Sequence, residues 1–173
     1  TIDPDDAKDF DDAICLQRSG PDQWKLWVHI ADVSHYVKSG TALDQEAARR
    51  GNSTYLVDRV VPMLPEALSN ELCSLKPQVE RLTKCVEFLL SNDGQVLKAQ
   101  SYPAVIRSQR RHNYKEVFAL LQRPPQDPIE QMLHDANALT QKIRRARFKA
   151  GSLDLDFPET KIRLDDKGAV LRM

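Results

Sequence analysis

Apolar and polar residues alternate along two early stretches of the chain. Residues 13–18 read as a strand, and so do residues 24–30, where Trp24, Leu26, Val28 and Ile30 alternate with Lys25, Trp27 and His29. The first set is expected to face a core. Ser19-Gly20-Pro21-Asp22 between the stretches is turn chemistry. Leu82, Val86, Phe88 and Leu90 share one face of a third strand over 82–90. Asn92-Asp93-Gly94 marks a hairpin, and 96–106 is the return strand. Leu153, Leu155 and Phe157 alternate with Asp154 and Asp156, which predicts a strand over 153–157. A last hairpin is expected from 162–164 and 169–172 around Asp165-Asp166-Lys167-Gly168.

Helical signals lie between these strands. Residues 41–50 have Thr41 as cap, Asp44 in the first turn and Gly51 as the stop. Residues 113–121 carry the capping-box pair Asn113 and Glu116 and end before Pro124-Pro125. The clearest start is Asp127, Pro128 and Glu130, followed by Ile129, Met132, Leu133, Ala136, Leu139, Ile143 and Ala146 at helical spacing. That helix is expected to run to about Phe148 and to end at Gly151. Residues 52–77, with Pro62, Pro65 and Pro77, hold no sustained period. They read as a long ordered loop with a helical turn near 66–72, and a loop of that length in a compact domain is usually functional. The resulting class is α+β: a mixed or antiparallel sheet with helices packed against it.

A chain of 173 residues fits one domain, and 41% apolar and 29% charged residues are ordinary for a globular protein. The formal net charge is zero, so bulk charge makes no case for nucleic acid, but its distribution is uneven. Residues 94–115 hold no acid and carry Lys98, Arg107, Arg110, Arg111 and Lys115; Lys142, Arg144, Arg145, Arg147 and Lys149 form a second basic cluster. Cys15, Cys73 and Cys85 lack metal-ligand spacing and read as small buried hydrophobes. No apolar stretch approaches the ~18 residues of a membrane span, so no membrane partner is expected.

The opposite charge crowds the start. Thr-Ile-Asp-Pro-Asp-Asp-Ala-Lys-Asp-Phe-Asp-Asp-Ala contains Asp3, Asp5, Asp6, Asp9, Asp11 and Asp12, offset only by Lys8. So many like charges are tolerated if water covers them or a cation sits among them. Spacing alone leaves open a solvated acidic loop and a site for Mg²⁺, which takes a few carboxylates plus waters and phosphate oxygens. A calcium EF-hand loop does not fit, because Lys8 stands where Gly is required and there is no terminal Glu. His29 and His35 have no partner spacing that would make them ligands.

This aspartate run resembles the active-site signature of the RNB family of 3′→5′ exoribonucleases, as do residues 28–37, 53–77 and 151–162. The resemblance covers essentially the whole chain and decides for the metal reading. It implies that Asp3, Asp9, Asp11 and Asp12 hold Mg²⁺, or Mn²⁺ in its place, while Asp5 and Asp6 lie outside the pattern. It implies a cytoplasmic, two-metal hydrolase that releases nucleoside 5′-monophosphates from single-stranded RNA. It also implies that the chain is the N-terminal half of a longer catalytic domain, with RNA-binding domains flanking it. The isolated 173 residues are then expected to be weakly active or inactive, because the family completes its site with an arginine and a glutamate from the second half. The family's stacking tyrosine falls on Tyr55, and a second tyrosine linked to substrate preference falls on Tyr114, beside Arg110 and Arg111. An opposing phenylalanine is replaced by Leu155, so either the clamp is one-sided or Phe157, two residues on and on the same strand face, partly substitutes for it. A non-catalytic RNA-binding module is the rival reading, and the four intact aspartates oppose it. Nothing in the sequence points to an obligate protein partner.

Overall fold

The computed structural model describes residues 1–155, 157, 162–165 and 168–172. Its centre is a four-stranded antiparallel sheet of β2 (Asp12–Arg18), β3 (Gln23–Ala31), β6 (Glu80–Ser91) and β7 (Val96–Arg107), in that spatial order. The remaining strands come as short pairs: β1 (Ile2–Asp3) parallel to β8 (His112–Asn113), β4 (Thr54–Tyr55) with β5 (Val60–Val61), and β9 (Arg163–Leu164) with β10 (Val170–Arg172). Helices α1 (Val33–Tyr36), α2 (Ala42–Arg50), α3 (Tyr114–Leu120) and α4 (Pro128–Lys149) are joined by one π-helical turn over Ala67–Leu72.

Local chemistry accounts for most element ends. Thr41 Oγ1 accepts from Asp44 N, and Gly51 closes α2 at φ +76°. Asn113 and Glu116 form a reciprocal capping box at α3. Asp127 accepts from the N–H groups of Ile129 and Glu130 at 2.9 Å each, with Pro128 in the first turn. The connection from α3 to α4 is fixed by buried Glu130, which takes two hydrogen bonds from the Arg123 guanidinium and one from Gln126 N.

The sheet is covered differently on its two faces. In the pairing register Trp24 lies opposite Leu90, and Leu26 opposite Leu16 and Phe88. Directly paired residues share a face, and on this one Leu16, Trp24 and Leu90 pack with Leu139, Met132, Ala136 and Ile143 of α4. On the other face Ala13 and Ala31 pack with Phe10, Cys73 and Leu75. Cys73 and Cys85 are buried, as expected of small hydrophobes, and Cys15 is half-buried.

Two expectations are corrected. Trp24 and Leu26 face the core as expected, but Ile30 of the same set is 47% exposed, because α4 covers only the far half of that face. Residues 153–155 and 157 form no strand. Ser152 N–H donates to Arg147 O and Asp154 pairs with Arg144, so this segment folds back along α4 instead. The β1–β8 pair carries no sequence pattern at all; two residues of ladder are too few for alternation to show. Asp156, Asp166 and Lys167 lie outside the described residues.

Candidate active site

The aspartates sit on a loop that enters the edge of the main sheet. Asp3 is placed by β1, whose parallel pairing sets it beside Asn113 at the start of α3. Asp12 opens β2, where it faces Ile30. Between them, residues 4–11 turn back through an Ala7 N–H bond to Pro4 O, and Ala31 N–H donates to Asp11 O at 2.9 Å. Phe10 points the other way, into the core against Leu75, and so divides the loop into an apolar inner side and an acidic outer side.

Burial falls along the set: Asp3 is 9% exposed, Asp9 is half-buried, and Asp11 and Asp12 are exposed. The four carboxyls act on one another. Although Asp11 is exposed as a residue, partial loss of water around its carboxyl pushes it above the ordinary carboxylate range, and the negative charges of Asp9, Asp12 and Asp3 push it further. Burial likewise raises Asp3, with Asp12 adding to the shift and Thr1 and Arg111 opposing it. Asp5 is engaged elsewhere, paired with Lys115 at 3.1 Å, and Asp6 is exposed.

The donor set suits a hard cation in one respect above all. Asp3 Oδ2 is buried and accepts no hydrogen bond, and a buried acceptor left unpaired costs ~1–3 kcal/mol unless something positive meets it. Among the described residues, no three His, Cys, Asp or Glu side chains stand close enough together to hold a metal ion between them. Mg²⁺ completes its octahedron with waters and phosphate oxygens rather than with protein alone. His29 is hydrogen-bonded to Thr83 Oγ1, and burial lowers its pKa; His35 lies edge-on against Tyr36.

The residues expected to meet RNA are placed as follows. Tyr55 is 73% exposed on the β4–β5 ribbon, and Tyr114 is exposed in the first turn of α3. Leu155 and Phe157 are both exposed, but the strand that would have set them on one face is not formed. Among the described residues, no hydrogen bond or ion pair joins Tyr55, Tyr114 or Phe157 to the acidic loop. Arg110 and Arg111 are both engaged within the fold. Arg110 pairs with the α4 cap Asp127 at 2.8 Å. Arg111 donates to the carbonyls of Pro4 and Asp5, and its guanidinium lies 5.3 Å from the centre of the Phe10 ring. A groove of about 520 Å³ runs between the loop and residues 70–79, lined by Lys8, Phe10, Asn70, Lys76 and Arg111 among others.

The sequence missed the residues that fix this loop. Arg111 was legible only as part of a basic patch, and Ser74 not at all, because the groups they hold lie far away in the chain.

The structure is thus an α+β domain whose acidic loop feeds the edge strand of an antiparallel sheet. The RNB domain model matches residues 1–173, and the chain belongs to that family. It is 47% identical to ribonuclease R of Thermotoga maritima, over 99% of this chain and 25% of that protein. It is 42% identical to ribonuclease R of Escherichia coli, over 93% of this chain and 20% of that protein. The chain therefore spans about a quarter or less of these relatives. Among solved structures, Mycoplasma genitalium RNase R in complex with double-stranded RNA matches with a TM-score of 0.90 and 37% identity, over 99% of this chain and 31% of that one. Yeast Ssd1, a pseudonuclease, shares the fold at 19% identity and a TM-score of 0.70 over 80% of this chain and 17% of that one. Helices packed on an antiparallel sheet are thus the family's arrangement as well as this chain's.

Proposed function

We propose that this chain forms part of the catalytic domain of a cytoplasmic 3′→5′ exoribonuclease that hydrolyses single-stranded RNA to nucleoside 5′-monophosphates. The observation that carries the reading is the carboxyl cluster itself: Asp3, Asp9, Asp11 and Asp12 share one field, and Asp3 offers a buried oxygen with no partner. RNA in the solved complexes of Mycoplasma genitalium RNase R supports RNA as the ligand class.

Asp3, Asp9, Asp11 and Asp12 would hold Mg²⁺, or Mn²⁺ in its place. A pair of such cations, when bound, neutralises the scissile phosphate and lowers the pKa of the attacking water. The chain's own part is to hold four carboxylates on a loop fixed at both ends by sheet pairing, with Phe10 keeping the inner side dry. Exposed Tyr55 offers a ring on which any base can stack, which suits a nuclease without sequence preference. Tyr114 and Phe157 offer further exposed rings. Arg110 and Arg111 shape the loop and the α4 cap, and they reach RNA only at the cost of those bonds.

Thermal unfolding followed against Mg²⁺ or Mn²⁺ tests the site. Binding at a hundredfold excess over Kd stabilises the folded chain by ~2.7 kcal/mol, and Asp11→Asn combined with Asp12→Asn should remove that response. An equal response in both proteins would refute the cation site. Direction and products are read by seating this chain in place of the matching residues of the Thermotoga maritima protein. The chimera should shorten 5′-labelled RNA from its 3′ end, and its Asp11→Asn form should not.

A further inference from the structure

Ser74 is fully buried, at 0% exposure, in the segment that follows the π-helical turn. Its hydroxyl donates to Lys8 O at 2.7 Å and accepts from Phe10 N at 3.0 Å. Those two backbone groups flank Asp9. The next residue completes the grip, since Leu75 N–H donates to Phe10 O at 2.8 Å. Phe10 is therefore held at its N–H, its carbonyl and its ring, and Asp9 and Asp11 stand on either side of it. Ser74 is itself fixed, because Arg81 Nε donates to its carbonyl at 2.9 Å while Arg81 Nη2 donates to Glu71 O.

We propose that Ser74 is a positioning residue for the acidic loop: its hydroxyl fixes the backbone around Asp9 and so sets the spacing of the carboxylates that take the cation. The inference rests on the cation-site reading above. It follows from what a loop of repelling carboxylates does when unrestrained, which is to open. A hydroxyl that bridges the carbonyl before Asp9 and the N–H after it prevents that opening. Groups that orient metal ligands without touching the metal change metal affinity by about 10–100-fold when removed. Ser74 acts by the same logic through the main chain rather than through a ligand side chain.

The test is Mn²⁺ binding to the whole chain, measured by the free-ion electron paramagnetic resonance signal, with unfolding midpoints recorded in parallel without metal. Ser74→Ala should weaken Mn²⁺ binding at least about tenfold per folded molecule. Ser74→Thr keeps the hydroxyl but crowds a packed site. It should lower the unfolding midpoint while leaving the Mn²⁺ Kd within about twofold of the parent, a split that a merely structural serine would not produce. Ser74→Cys, which keeps the volume and weakens both hydrogen bonds, gives the same reading as alanine if the alanine variant does not fold. Mn²⁺ binding by Ser74→Ala equal to the parent's overturns this inference alone. A parent chain that binds no more Mn²⁺ than Asp11→Asn overturns the cation site and this inference with it.

Discussion

At the scale of single residues, the acidic loop opposes folding. Asp11 is raised above its ordinary range by partial loss of water around its carboxyl and then by Asp9, Asp12 and Asp3, and Asp3 by burial and then by Asp12. A carboxyl whose pKa is higher in the folded state favours folding most when protonated in both states, below the ordinary value of 3.8. That contribution is lost as pH rises through the folded-state values, so at neutral pH the metal-free cluster destabilises the chain. Asp11→Asn should therefore raise the unfolding midpoint at pH 7 without divalent cations. The gain should stay below about 1 kcal/mol, because Asp11 is exposed and water screens the repulsion. It should vanish near pH 3, and saturating Mg²⁺ should reverse the order of the two proteins. Melts between pH 3 and pH 8, with and without Mg²⁺, check this; an asparagine variant less stable at pH 7 without metal would show that the carboxylate makes a favourable contact instead. Tyr55 belongs to the same scale. It lies in a polar stretch with no sustained period, and the residue is 73% exposed. Ser74 was not legible, because what matters about it is a pair of backbone groups 64 and 66 residues away.

At the scale of elements, what the sequence showed was what local chemistry decides. The caps Thr41, Asn113 and Asp127 and the Gly94 turn all stand where their side chains, or the lack of one, require. Residues 153–155 and 157 are not in a strand, because alternation signals a half-buried surface only where a strand pairs with it; none does among the described residues, and Asp154 pairs with Arg144 instead. The β6–β7 hairpin has a consequence beyond its turn. Gly94 has φ +82°, and a Cβ added there would lie 2.3 Å from Ile143 Cγ1 of α4. The turn thus needs glycine twice, for its backbone and for the helix that packs on it. Gly94→Ala should cost about 2–3 kcal/mol, from left-handed strain of ~1–2 kcal/mol plus overpacking. In an Ile143→Ala background the same change should cost clearly less, since the clashing atoms are gone and only the backbone strain remains. Chemical denaturation of the four proteins gives the coupling, and strict additivity would show that helix and turn do not press on each other.

At the scale of the whole molecule, two cores on opposite faces of one sheet serve different ends. The face under α4 is built from large side chains, Trp24, Leu90 and Leu139, and Asp12 lies at its uncovered end, paired with Ile30. The face under Phe10 and Leu75 is built from smaller ones and holds the acidic loop against the 70–75 segment. Charge is divided in a similar way. Negative charge gathers at the loop, while the last turns of α4 carry Arg145, Arg147 and Lys149, all exposed and with no ion pair among the described residues. Arg110 and Arg111, an equally basic pair in sequence, are already bonded to Asp127 and to the Pro4 and Asp5 carbonyls. Phosphate contacts should therefore come from the end of α4 rather than from the 110–111 pair. Binding of single-stranded RNA weakens with salt at a log–log slope of about −0.7 per phosphate neutralised. Replacing Arg145, Arg147 and Lys149 together by glutamine should flatten that slope by up to about 2 while leaving the unfolding midpoint nearly unchanged, since exposed charges contribute little to stability. Replacing Arg111 by glutamine should do the reverse, lowering the midpoint by loosening the loop and leaving the slope close to that of the parent. Fluorescence anisotropy with a labelled oligonucleotide across a salt series, beside thermal melts of each protein, separates the two. A slope unchanged by the α4 replacements would mean that this end of the helix is only a solvated face.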